Sequence, residues 1–157
     1  MIKVLVIYYS RTGNTKKMAE SVAKGANEAG AEVTLKPVNE ANYKEMLDYD
    51  AIIIGSPVYY GHSAGVIRSL IDESVKIHGR LDGKVGGAFA SSAYIAGGNE
   101  TTVMDIIHAM MIHGMIVKGN YKGNHYGPVS INKPNDKVLT ECLKYGTSIV
   151  SLVNKVK

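Results

Sequence analysis

The sequence predicts an α/β fold in which helices cover both faces of a five-stranded parallel sheet. Three observations carry that prediction. Short apolar, β-branched segments alternate with amphipathic ones along the whole chain, a pattern that joins parallel strands through right-handed crossovers. The first of these segments, Ile2–Tyr8, is almost continuously apolar, as in a strand buried on both faces. The chain has 157 residues, 45% of them hydrophobic and 20% charged, which suits one domain (residues 1–157) with a core that needs no staples.

Each element has its own signal. Ile2–Tyr8 is a β-branched first strand. Between Thr15 and Asn27, residues Met18, Ala19, Val22, Ala23 and Ala26 share one helical face, and Gly30 follows as a stop. Ala31–Leu35 reads as a second strand, Asn39–Leu47 as a short helix, and Ala51–Gly55 as a third strand running into a loop at Ser56–Ser63. Val66, Ile67, Leu70, Ile71 and Val75 repeat at helical spacing. Val85–Ala90 is a fourth strand, and Val103 to Met111 is a helix ending near Gly114. Met115–Val117 is a short fifth strand, Lys118–Pro128 a polar loop, and Val138 to Val153 a final helix with Cys142 on its apolar stripe.

Composition removes several classes of function. The net charge of +4 comes from scattered basic residues, not the clustered face that nucleic-acid binding requires. No apolar run approaches the ~20 residues of a membrane helix. A single cysteine makes neither an internal disulfide nor a structural zinc site. The expected setting is therefore reducing and cytoplasmic.

Ligands of an open parallel sheet bind beyond the carboxyl ends of its strands, so the loops after strands one, three and four should converge. The first reads Ser10-Arg11-Thr12-Gly13-Asn14-Thr15 and runs into a helix. Hydroxyls, a glycine and free helix-start amides make an anion cradle there, with no carboxylate to repel a phosphate. The second reads Ser56-Pro57-Val58-Tyr59-Tyr60-Gly61-His62-Ser63, where tyrosine faces and a bare glycine backbone suit a flat aromatic ligand, one tyrosine being structural. The third reads Ser91-Ser92-Ala93-Tyr94-Ile95-Ala96-Gly97-Gly98-Asn99. Neither a Walker-A loop nor a G-x-G-x-x-G follows the first strand. No aspartate ends the third strand and no cysteine sits in the first loop, which excludes phosphoacceptor and cysteine-phosphatase chemistry.

Together SRTGNT, GSPVYYG and ASSAYIAGGNE, with Ile112-His113-Gly114-Met115 and His125-Tyr126-Gly127-Pro128 downstream, resemble the flavodoxin superfamily, most closely its WrbA-type NAD(P)H:quinone oxidoreductase branch. The resemblance implies a flavodoxin-like three-layer sandwich with strand order 2-1-3-4-5. It implies that Ser10, Thr12, Gly13, Asn14 and Thr15 hold the phosphate of FMN with Arg11 beside it. Pro57, Val58, Tyr59, Tyr60 and Gly61 would line one side of the flavin ring, and Ser91, Ser92, Ala93, Tyr94, Gly97 and Gly98 the other. It also implies NAD(P)H as reductant, a quinone-like acceptor, and a homodimer or homotetramer. The chain lacks tryptophan, and its two ring-side loops lack Asp and Glu, unlike a low-potential carrier. A reductase is therefore expected ahead of a flavodoxin-type carrier serving a redox partner protein. Arg11, His62, Arg68, His113 and His125 are the candidate sources of positive charge near the ring or a dinucleotide phosphate, and no single catalytic side chain is singled out.

Overall fold

The computed structural model describes residues Met1–Lys157. Its elements are β1 (Lys3–Tyr8), α1 (Asn14–Glu28), β2 (Glu32–Pro37), β3 (Ala51–Tyr59), β4 (His62–Ser63), α2 (Gly65–Glu73), β5 (Val85–Ser92), α3 (Asn99–Ile112), β6 (Ile116–Val117), β7 (Val129–Ile131) and α4 (Asp136–Val156). The sheet runs β2-β1-β3-β5-β6, with β7 also on β5 and β4 folded back on β3. Counted by position rather than by piece, this is the expected order 2-1-3-4-5. No helix is long and apolar enough to cross a membrane.

Strand alternation divides the core in two. Leu5, Ile7, Ile52 and Ile54 pack with Ile67, Ile106 and Met110 under α2 and α3. Val4, Val6, Ile53 and Phe89 pack with Met18, Val22, Ile149 and Val153 under α1 and α4. Helices α1 and α4 approach at glycine notches, because a Cβ on Gly25 would enter the Leu143 backbone and one on Gly146 the Val22 carbonyl. Cys142 is fully buried on that seam, and burial pushes its thiol up to about 12, so it is core and not a nucleophile.

Four expectations need correction. Asn39–Leu47 is not one helix but parts of two 3-10 turns, Val38–Glu40 and Tyr43–Asp48. Extended backbone at Ala41 and Asn42 separates them, and Asn42 and Glu45 cap the second reciprocally. The third strand does not stop at Gly55 but continues to Tyr59 and returns as β4, so most of the expected loop is a hairpin. The fourth strand reaches Ser92, because β7 supplies partners to Ala90, Ser91 and Ser92.

The fifth strand is split. β6 pairs with Val85 and Gly86, β7 pairs with Ala90 to Ser92, and residues 118–128 bulge out between them. β5 keeps its partner β3 on one edge, but the break leaves the middle of its other edge without a strand neighbour. There the Ala88 N–H donates to Tyr145 Oη at 3.0 Å, while Gly127 (φ +146) lies so close to the Ala88 carbonyl that no Cβ fits. Burial pushes the Tyr145 hydroxyl up to about 12, so it remains a neutral partner for that amide.

Tyr145→Phe keeps the ring but strands a buried N–H, so it should cost about 1–3 kcal/mol. Urea unfolding would read this as a lower midpoint at unchanged slope; an unchanged midpoint would show that another group satisfies Ala88.

Candidate functional site

The carboxyl ends of β1, β3 and β5 each release one segment toward the same edge of the sheet. In the first segment Gly13 N–H donates to Ser10 Oγ at 3.1 Å, curling the chain into α1. Gly13 holds φ +93, and α1 starts without a side-chain cap or an acid in its first turn. The amides of Asn14, Thr15 and Lys16 have no acceptor within the chain. Unpaired amides aligned with a helix dipole are a ready anion seat. Arg11 and Thr12 are exposed around it, and Ser10 and Asn14 are half-buried. Thr15 turns inward, and its Oγ1 lies 2.8 Å from Ser91 Oγ with both residues buried. That bond fixes the first segment to the end of β5.

The second segment is a tight hairpin. Tyr60 (φ +49) and Gly61 (φ +81) are both left-handed, as a two-residue turn of the twist-matching type requires. The turn separates the two tyrosines. Tyr59 is only partly exposed, with its ring 6.4 Å from that of Tyr9, whereas Tyr60 is fully exposed. Burial first, then the neighbouring Tyr9, raises the Tyr59 hydroxyl above its ordinary value. Pro57 and Val58 are half-buried, and the buried Ser56 donates to the Pro57 carbonyl and accepts from Ala64 N–H.

The third segment is shaped by its own backbone. Ser92 Oγ and Gly97 N–H both donate to the Tyr94 carbonyl, at 2.8 and 3.1 Å. Ala93, Tyr94 and Gly97 are exposed. Gly98 (φ +103) is pressed on the hairpin: a Cβ there would lie 2.7 Å from Gly61 Cα and 2.9 Å from Val58 Cγ1. Thr101 Oγ1 reaches the Gly61 carbonyl at 2.6 Å and the Gly98 carbonyl at 3.1 Å, locking the second and third segments together.

Three contributors escape sequence reading. Thr101 has no motif around it beyond its place after GGNE. Tyr9 falls between the first strand and the first loop, and Asp105 lies at a polar position within a helix. Asp105 accepts from Ser63 N–H at 3.2 Å and pairs with Arg68 at 2.9 Å. Arg68 is therefore engaged and does not offer free positive charge. His113 is a larger correction, because it lies at the opposite end of the sheet, just past the C-terminus of α3. His62 and His125 are exposed at the carboxyl edge.

The arrangement suits FMN. A phosphate would meet unpaired amides and no carboxylate, and a flat ring would find tyrosine faces and bare glycine backbone. Fold and site thus define a doubly wound α/β protein that seats a mononucleotide at the carboxyl edge of its sheet. The Flavodoxin domain family matches residues 5–105, and this chain belongs to the flavodoxin family. A curated relative from Sinorhizobium fredii, named NAD(P)H dehydrogenase (quinone), is 44% identical over 141 residues, covering 76% of this chain and 71% of its own. A protein from Aquifex aeolicus named Flavodoxin is 40% identical over 162 residues, covering 98% of this chain and 88% of its own. The crystal structure of a WrbA-like flavodoxin from Agrobacterium tumefaciens matches with a TM-score of 0.85 and 25% identity over the full length of both chains.

Two outcomes follow from the geometry. Gly98→Ala should force the hairpin and third segment apart, at about 1–3 kcal/mol, and weaken FMN binding by roughly tenfold or more. Fluorescence titration of FMN checks this, and unchanged affinity would place the ring away from this contact. His113 concerns stability. Ser74 Oγ donates to the Ile71 carbonyl and so accepts from His113 Nε2, leaving a buried Nδ1 with no partner to take a proton. Burial, and then His78, lower its value below the ordinary 6.5. The unfolded chain therefore takes up the proton first, and stability present above about pH 6.5 should be lost as the pH falls below it. His113→Asn should flatten that slope in urea midpoints measured at about pH 7.5 and 5.5; an equal slope in both proteins would assign it elsewhere.

Proposed function

We propose that this chain acts as a single FMN-binding domain over residues 1–157 and is an NAD(P)H:quinone oxidoreductase. Electrons pass from NAD(P)H to a quinone-like acceptor. FMN, when bound, accepts an electron pair from the nicotinamide and releases it to the acceptor. Ser10, Thr12, Gly13, Asn14 and Thr15 hold its phosphate, with Arg11 balancing charge. Pro57 to Gly61 line one side of the ring; Ser91, Ser92, Ala93, Tyr94, Gly97 and Gly98 line the other.

One observation carries the reading. The two ring-side segments bring no carboxylate to the ring, and Asp105, the acid behind the hairpin, is already paired with Arg68. A carboxylate beside the ring would oppose the negative charge gained on reduction; its absence lets a nicotinamide reduce the flavin. The Sinorhizobium relative supports the same reading by its name. The Aquifex relative, named Flavodoxin, favours a second one, an electron carrier that serves a redox partner protein. A cytoplasmic location fits either. Tyr60, Tyr94 and Ile95, exposed on one end of the molecule, support a subunit contact within a homodimer or homotetramer.

Anaerobic addition of NADPH, then NADH, to the FMN-loaded protein should bleach the oxidised-flavin band, and a quinone should restore it. A band that persists with both nicotinamides would leave the carrier reading. Gly13→Asp should weaken FMN binding at least about tenfold, or 1.4 kcal/mol, by placing a carboxylate at the amide seat. Gly13→Asn, with the same backbone demand and no charge, should bind FMN more tightly than Gly13→Asp. Equal affinity of the two would move the phosphate elsewhere.

A further inference from the structure

We propose that His125 is the proton donor to the quinone acceptor, whose ring sits in the cleft between the first turn of α3 and residues 124–127. The inference rests on the reductase reading and assigns a residue to it. Reduction follows NAD(P)H + H⁺ + quinone → NAD(P)⁺ + hydroquinone. The nicotinamide supplies both electrons and one hydrogen, and the second proton must reach a quinone oxygen from a group on the protein or from water.

Few groups at the carboxyl edge can deliver it. The ring-side segments contain no acid, Arg68 and Asp105 hold each other, and the Tyr59 hydroxyl is held above its ordinary value by burial. Glu100, the one acid lining the neighbouring cleft, is as a carboxylate an acceptor and not a donor. The segment that interrupts the fifth strand offers a better group. Between it and α3 lies a cleft of about 110 Å³, lined by Glu100 and Val103 on one side and by His125, Tyr126 and Val129 on the other. An engineered cavity of about 150 Å³ takes up benzene, so this smaller cleft, open to solvent, admits the edge of one ring. Glu100 follows directly on the third segment, so the cleft adjoins the proposed flavin site. Tyr126 and the two valines give it apolar walls.

The His125 ring is oriented by its own loop. Its Nδ1 lies 2.7 Å from the Asn120 carbonyl. A carbonyl oxygen only accepts, so Nδ1 carries a proton and Nε2 is the atom that exchanges. The loop is closed by Asn120 N–H to the His125 carbonyl and by Gly127 N–H to the Asn124 carbonyl, each at 3.0 Å. Asn124 Nδ2 anchors it to Glu141 on α4 at 2.6 Å. Protonated His125 gives its Nε2 proton to the quinone oxygen as the electron pair arrives. The product is the neutral Nδ1–H ring that the Asn120 carbonyl already enforces, and solvent restores the proton at the exposed Nε2.

The test compares His125→Gln with the parent, both FMN-loaded and pre-reduced with dithionite, so that failure of nicotinamide reduction leaves it intact. Reoxidation by duroquinone should fall about 100-fold, while reoxidation by ferricyanide, which takes an electron and no proton, should change less than about twofold. Equal loss with both acceptors would make His125 structural. An unchanged duroquinone rate, or a loss that appears in His62→Gln instead, would also overturn the assignment. In FMN-free protein, a ¹H–¹⁵N histidine spectrum should show the Nδ1–H tautomer of His125, shifted on adding duroquinone. An Nε2–H tautomer or an unmoved signal would refute the geometry.

Discussion

The register of β3 between β1 and β5 is the constraint on which everything at the carboxyl edge depends. These strands are apolar on both faces, so burial alone cannot fix how far one slides past its neighbour. Shape does. Gly55 faces the Phe89 ring, Gly86 faces Met110 Sδ, and Gly87 faces Tyr145 and Ile149, each leaving no room for a Cβ. These glycines act as keyed slots for side chains from the neighbouring strand, α3 and α4. A slip of one residue would bring Ile54 or Ser56 to the slot of Gly55 and leave the Phe89 ring no space, and a close-packed interior does not tolerate that. With the register held, Tyr8 lies opposite Gly55 and Pro57 opposite Ser91, which brings the three segments of the site within reach of one another.

Two kinds of contact then turn proximity into a fixed site. The buried Thr15–Ser91 pair ties the start of α1 to the end of β5, and Thr101 ties the hairpin to the third segment. None of these bonds needs a charged group. The one ion pair at the hairpin, Arg68 with Asp105, lies behind it and cancels itself. The site is thus built almost wholly from hydroxyls, amides and glycine backbone, which leaves the bound cofactor to set the local charge.

Much of this was legible in the sequence, and what was not has physical causes. Burial on both faces wrote β1, β3 and β5 as largely apolar runs, and the helices appeared as stripes. SRTGNT announced a loop that turns straight into a helix start with free amides because its residue types are those the conformation needs. β6 and β7 did not appear as a split strand, since two and three residues cannot display a period; they exist because β5 offers bonds to them. Which tyrosine packs was hidden because the backbone at Tyr60 decides it. The distance of His113 from the site was hidden because a helix carries its ends to opposite edges of a sheet, which a list of basic residues ignores.

The broken fifth strand also bears on how copies of this chain meet. An uninterrupted outer strand presents a ladder of free amides and carbonyls on which another chain can lengthen the sheet. Here that ladder is cut into pieces of two and three residues with a projecting loop between them, and Tyr145 occupies the amide exposed at the cut. The opposite margin, β2, ends in Lys36 and Pro37, the residue types that discourage strand addition. Neither margin templates a growing ribbon, so contact between copies, where it occurs, falls to side-chain surfaces and leaves the sheet's carboxyl edge clear.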